Sequence, residues 1–142
     1  MKTIFLAADH AGYALKEKLR AALIRSGVRV TDLSPKFKEG DDYPAIGNLL
    51  AKKVARAKGR GVLVCGSGEG VAIAANRVPG ARAVVGHSVA QVKKAREHND
   101  MNILCLSGWK TGLWTAMKLT KAFTSSAFSG AARHKRRIKQ LG

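Results

Sequence analysis

Short apolar runs alternate with amphipathic stretches along the whole chain. Thr3 to Ala8 is a short run of mostly apolar residues that stops at Asp9-His10-Ala11-Gly12, a length and composition that suit a buried strand. Tyr13 to Ser26 carries Leu15, Leu19, Ala22 and Leu23 on one helical face, with Lys16, Lys18, Arg20 and Arg25 mostly on the other, and Gly27 is placed to end the helix. Val28 to Asp32 reads as a second strand, followed by an irregular loop rich in Ser, Pro, Lys, Gly and Asp. Asp42-Tyr43-Pro44 has the form of a helix start, with Asp42 as N-cap and Pro44 in the first turn.

The third strand, Gly61 to Cys65, is wholly apolar after its glycine, as a strand covered on both faces should be. It runs into Gly66-Ser67-Gly68-Glu69-Gly70 and a helix from Val71 to Arg77. A fourth strand spans Ala81 to Val85. Ser88-Val89-Ala90-Gln91 is a capping box for a helix reaching about His98. Ile103 to Leu106 is a fifth strand, Leu113 to Phe123 another helix, and the basic segment Arg133 to Leu141 a last one.

Five strands separated by helices predict an α/β fold: one doubly wound, Rossmann-like parallel sheet with helices on both faces and a C-terminal helix, residues 1–142 forming a single domain. Right-handed crossovers and short loops favour the strand order 2-1-3-4-5. Ligands bind beyond the carboxyl ends of strands where the order reverses, between strands one and three. Asp9-His10 and Cys65-Gly66-Ser67-Gly68 stand at those two ends and should face each other across a crevice.

Composition narrows the classes. A hydrophobic fraction of 46% is that of a globular chain, and no run approaches the length of a membrane span. The first apolar run meets Asp9-His10 too early for a signal peptide core. Cys65 and Cys105 form neither a disulfide framework nor a metal-binding spacing, so a cytoplasmic home and no metal are expected. The charge is unusual: 26 Lys and Arg against 9 Asp and Glu give +17. Such a surface attracts polyanions, although nucleic acid is not the expected partner and the excess also suits an anionic substrate.

The glycine loop is neither a dinucleotide fingerprint, since Val71 stands where a third glycine belongs, nor a P-loop, since no Gly-Lys-Ser/Thr follows. What it offers is several backbone N–H groups at a helix N-terminus, with the Cys65 thiol beside them. A thiol so placed can serve as a general base, with those N–H groups holding an oxyanion. Residue type alone also allows a buried core cysteine. Likewise Asp9 can be a helix cap, His10 and His98 capping or surface histidines, and Arg133 with Arg137 a solvated basic face.

Five motifs in order narrow those readings. Asp9-His10-Ala11-Gly12, Asp42-Tyr43-Pro44, Cys65-Gly66-Ser67-Gly68-x-Gly70 with Ala74-Ala75-Asn76, His98-Asn99-Asp100 and Arg133-His134-x-x-Arg137 together resemble ribose-5-phosphate isomerase type B and its relatives that isomerise galactose 6-phosphate or allose 6-phosphate. The resemblance covers essentially the whole chain. It implies a metal-free and cofactor-free aldose–ketose isomerase, most often of ribose 5-phosphate, with active sites shared between subunits of a homodimer or tetramer. By the same resemblance Cys65 would be the base that works through a cis-enediolate, with Ser67 and the backbone of Gly66, Gly68 and Gly70 holding the oxyanion. His98 would assist ring opening, Asp9 and Asn99 would hold sugar hydroxyls, and Tyr43 would line the pocket. His10, Arg133 and Arg137 would bind phosphate, with His134 in the same basic cluster. Other readings are a six-carbon sugar phosphate as substrate, or a basic paralogue that binds phosphosugar or nucleic acid without catalysis.

Two positions depart from that family. Trp109, followed by Lys110, stands after the fifth strand where the family often carries an arginine, and Glu69 puts a carboxylate in a loop meant for an anion.

Overall fold

The computed structural model describes residues 3–142; Met1 and Lys2, which precede the first apolar run, lie outside them. Strands β1 (Ile4–Ala8), β2 (Val30–Asp32), β3 (Arg60–Cys65), β4 (Ala83–Val85) and β5 (Ile103–Ser107) form one parallel sheet. Helices α1 (Tyr13–Arg25), α2 (Tyr43–Ala57), α3 (Glu69–Asn76), α4 (Val89–Asn99), α5 (Leu113–Ser125) and α6 (Ala132–Leu141) complete the order along the chain.

The sheet order is β2-β1-β3-β5-β4, which corrects the expected 2-1-3-4-5 at its far edge. The reason is burial. A strand covered on both faces must be apolar throughout, and Ile103, Leu104, Cys105 and Leu106 are all fully buried. The three-residue β4 is preceded by Arg82 and only partly covered, so it takes the edge. Its first two expected residues are drawn out of the strand: the Arg82 amide donates to Asn102 Oδ1 at 2.7 Å and the Ala81 amide to the Val78 carbonyl at 3.0 Å.

Right-handed crossovers then decide which helix covers which face. The chain steps one way along the sheet through α1 and α4, and the other way through α2 and α3. Accordingly Leu15, Leu19 and Val92 share one core layer with Leu119 and Phe123 of α5. Leu50, Val54, Val71 and Ala75 share the other, against Leu63, Cys65 and Cys105. The loop after β3 therefore turns toward α2 and α3, while the loops after its neighbours β1 and β5 turn toward the opposite layer. The β3–α3 loop thus stands between the turn after β1 on one side and the turn after β5 on the other.

Two local details differ from the sequence expectation. Lys16, placed by its spacing on the outer face of α1, is fully buried, with Nζ 2.8 Å from Asp32 Oδ2 and 2.9 Å from Glu17 Oε1. Its remaining donor goes to the Ser34 carbonyl, while Ser34 Oγ accepts from the Ala8 amide. This satisfied network is what lets an ammonium sit without water, and it fixes the end of β1 just before Asp9. At α2, Asp42 stands at the N-cap position with Pro44 behind it, yet its side chain makes no cap bond. Ser88 does cap α4, accepting from the Gln91 amide at 3.1 Å, while Gln91 Oε1 reaches one residue further back than in a standard box, to the His87 amide.

Candidate active site

The end of β3 organises the site. Its last residue, Cys65, is buried, and Sγ accepts from the Gly68 amide at 3.1 Å. Gly68 has φ +83°, a left-handed conformation that glycine adopts without penalty. That turn lets the loop double back over the sulfur and start α3. Ser67 is exposed, and its Oγ accepts from the Glu69 amide at 3.2 Å.

The loop lies between two aromatic rings. A Cβ added at Gly66 would fall 2.4 Å from the Trp109 ring, and one at Gly70 would fall 2.8 Å from the Tyr43 ring. A side chain at either glycine would have to push the ring beside it away. The platform under Trp109 is tied down by the Gly108 amide donating to the Cys65 carbonyl at 2.7 Å, and by the Trp109 amide and Ser107 Oγ donating to the Gly66 carbonyl.

On the β1 side, Asp9 is buried and its Oδ1 accepts from the Gly12 amide at 3.0 Å, so it does cap the turn into α1. Burial raises its carboxyl above the ordinary value, against the lowering effect of the Gly12 and Ala11 amides. His10 is exposed at the same turn. Its amide donates to Asp41 Oδ1 at 2.7 Å and its Nδ1 lies 3.0 Å from the same oxygen. That hydrogen bond raises the imidazole above the usual histidine value, with the Asp9 charge adding to it. Oxygen and nitrogen atoms of Asp9, His10 and Asp41 all lie within 4.8 Å of one another. Asp41 is the partner that sequence reasoning missed; nothing but its place beside Asp42 in the loop pointed to it.

On the other side of the loop lies a recess of about 530 Å³, lined by Ser67, Glu69, His87, Ser107, Trp109 and Lys110. Glu69 is exposed there, at the start of α3.

The remaining expected site residues lie elsewhere. A helix that follows a parallel strand runs back to the amino-terminal edge of the sheet, and α4 ends there. Asn99 borders a cavity with Arg82 and Ala83 at the start of β4 and with Ile138 and Leu141 of α6. His98 stacks on His134, ring centres 4.4 Å apart, and His134 Nδ1 lies 2.6 Å from Ser129 Oγ. His134 is buried, which lowers its pKa; the nearby charges of Arg133, His98 and Arg137 lower it further. His98, Asn99, Arg133, His134 and Arg137 gather around the ends of α4 and α6, the two arginines supplying the positive charge, at the opposite end of the strands from Cys65. The six residues of β3 alone span about 16 Å. A single chain therefore does not bring His98, Asn99, Arg133, His134 or Arg137 to its own Cys65.

A doubly wound parallel sheet with a buried thiol under a glycine loop at its switch point is the architecture of α/β enzymes that bind ligands beyond the carboxyl ends of their strands. Residues 4–141 match the ribose/galactose isomerase family model, and the chain belongs to that family. It is 35% identical over 142 residues to ribose-5-phosphate isomerase B of Escherichia coli, covering 99% of this chain and 95% of the relative. A ribose 5-phosphate isomerase structure from Thermotoga maritima superposes with a TM-score of 0.94 at 36% identity, covering 99% of this chain and 97% of that one. Ribose-5-phosphate isomerase B from Mycoplasma genitalium, with ribulose-5-phosphate bound, gives 0.90 at 37% identity, covering 98% and 93%. Among the described residues no helix is long and apolar enough to cross a membrane.

Proposed function

We propose that this enzyme interconverts ribose 5-phosphate and ribulose 5-phosphate, with Cys65 as the base, at sites completed by a second copy of the chain. The observation that carries the reading is the Cys65 sulfur under the Gly68 amide at the switch point, with Asp9 and His10 on the adjoining strand end.

In the open-chain aldose, the Cys65 thiolate takes the proton from C2. The C2–H electrons form the C1–C2 double bond, and the carbonyl electrons move onto O1, giving an enediolate. The amides of the Gly66–Gly70 loop and Ser67 Oγ stabilise that oxygen where its charge develops. A proton passes from O2 to O1, the thiol returns its proton to C1, and the carbonyl closes at C2. A cis geometry keeps C1 and C2 on the same face, so one base serves both. Hydrogen only changes place within the substrate, and no redox cofactor is called for.

Tyr43 closes the wall over Gly70, Asp9 accepts from sugar hydroxyls, and His10 meets the phosphate. The cluster at the far end of the strands supplies the rest from the partner. Arg133 and Arg137 offer forked donors to a phosphate dianion, Asn99 holds a hydroxyl, His98 moves a proton during ring opening, and neutral His134 props His98. The enzyme would work as a homodimer or a tetramer, in the cytoplasm and without a metal.

The test is ketose formation from ribose 5-phosphate with chelator present, for the protein and its Cys65→Ala variant. Turnover in the first and a loss of several orders of magnitude in the second is the expected result. Turnover on allose 6-phosphate or galactose 6-phosphate alone would overturn the five-carbon reading while leaving the base in place.

A further inference from the structure

The isomerase reading leaves most of the positive charge without a task. From Met101 to Gly142 the sequence has no Asp or Glu at all and eight Lys or Arg. Arg133 and Arg137 are claimed by the phosphate. The outer face of α5 is not. Trp114, Lys118 and Lys121 are spaced i, i+4, i+7 and lie on one exposed stripe, opposite the buried Ala116, Leu119, Thr120 and Phe123. Trp114 is 75% exposed, and Lys118 Nζ stands 5.7 Å from the centre of an indole ring face. Among the described residues neither lysine is in an ion pair. Glu97 of the neighbouring helix α4 is paired with Lys94 at 3.8 Å. Lys93 of α4 and Lys110 ahead of α5 are also exposed, Lys110 at the recess beside the β3–α3 loop.

An exposed indole among free ammonium groups is a poor surface for an apolar protein partner. Leu49 and Ile73, exposed apolar residues of α2 and α3, are on the opposite layer, so Trp114 is not the edge of an apolar patch with them. It fits a ligand with alternating anionic and flat aromatic groups. Phosphates would take the lysines and a base would stack on the ring, which is how sequence-tolerant single-strand binding is built. From Trp114 to Lys121 the stripe runs about 10 Å at the helical rise, room for a few nucleotides.

We propose that the outer face of α5, centred on Trp114, Lys118 and Lys121, binds single-stranded nucleic acid independently of the isomerase site.

The experiment titrates the full protein with a fluorescein-labelled single-stranded oligonucleotide of about 16 nucleotides and follows anisotropy across salt concentrations. Binding is expected at low salt, weaker for the matching duplex. Trp114→Ala should weaken it about tenfold or more. Replacing both Lys118 and Lys121 by Gln should lower the steepness of the log–log salt dependence by about 1.4. Turnover should stay unchanged in all three proteins, and the indole fluorescence of a Trp109→Phe background should still be quenched by the oligonucleotide. Absence of binding at low salt would overturn the proposal. So would variants with unchanged affinity and salt slope, which would mean diffuse attraction to net charge. Binding to anionic phosphatidylserine vesicles but not to the oligonucleotide would assign the stripe to a membrane surface. A drop in molar mass by light scattering in Trp114→Ala would assign it to a subunit contact.

Discussion

The indole of Trp109 lies on Gly66 so closely that a single methyl group at Gly66 would sit 2.4 Å from the ring. Trp109 is nonetheless 73% exposed, so its contact with the loop, and not burial, is its main engagement. The ring covers the peptide whose N–H is assigned to the oxyanion, and the Gly66 carbonyl is tied to Ser107 Oγ and the Trp109 amide.

This relationship predicts a compensating pair. Gly66→Ala alone should cost about 1 kcal/mol or less in stability, because the exposed ring can give way, and should lower kcat because the ring or the loop must shift. Trp109→Ala alone should lower kcat with a smaller change in stability, and Trp109→Phe should recover much of the loss. The double variant, Gly66→Ala with Trp109→Ala, should be less damaged than the sum, by a coupling of about 0.5–1 kcal/mol. Urea unfolding and steady-state kinetics on the four proteins decide it; strict additivity would mean that the ring does not position the loop.

A second prediction follows from the distance between Cys65 and the cluster around His134. Cys65→Ala and Arg137→Ala should each be inactive as pure proteins. Mixed and allowed to exchange subunits, they should regain about a quarter of wild-type activity, because a mixed dimer holds one intact site. Mixtures that stay silent, with subunit exchange verified by mass, would place the arginines in the same chain's site.

That division also shows how far the sequence could be read. The strand ends carrying Asp9 and Cys65 were legible because continuous apolar runs stop abruptly at Asp-His and at a glycine loop, and parallel topology leaves few neighbours for them. The exchange of β4 and β5 was less legible, since it turns on how much of each strand is covered. The all-apolar Ile103 to Leu106 run was the available signal for the inner place. Lys16 was misread because amphipathic spacing assigns faces by residue type. An ammonium that finds Asp32, Glu17 and a carbonyl sits where the pattern expects a hydrophobe. Asp41 was invisible for a different reason: its partnership with His10 joins loops 31 residues apart with no periodicity to mark them. The far cluster drew its reading from resemblance alone, since no periodicity or spacing along the chain ties His98, Asn99, Arg133, His134 or Arg137 to Cys65.

The His10–Asp41 contact sets a pH dependence. The carboxylate raises the imidazole's pKa, so folded His10 holds its proton to higher pH than the unfolded chain's histidine, near 6.5. The stabilisation from the pair is complete below that unfolded value and is lost as pH rises through the folded one. Phosphate affinity should follow the same sign, with KM for ribose 5-phosphate rising across that window. Asp41→Asn should move the onset to lower pH. Proton NMR of the His10 ring and a KM–pH profile test both; a His10 titration unmoved by Asp41→Asn would remove this pair from the explanation.

The buried Lys16 gives the last prediction, about stability and the site together. Lys16→Met fills similar volume but leaves Asp32 Oδ2 and the Ser34 carbonyl without their buried donor, with only Arg20 Nε at 3.8 Å to help Asp32. Removing one partner of a buried pair costs about 3–5 kcal/mol. Asp32 Oδ1 still accepts from the Ser34 amide at 2.9 Å, so the loop should stay folded while its anchor to Ala8 loosens. Asp32→Asn added to Lys16→Met should return part of the loss by removing the orphaned charge. Since Ala8 directly precedes Asp9, the single variant should also raise KM more than it lowers kcat. Urea midpoints and kinetics of the two proteins check both halves. A single variant as stable as the double would show that the carboxylate reaches water without Lys16.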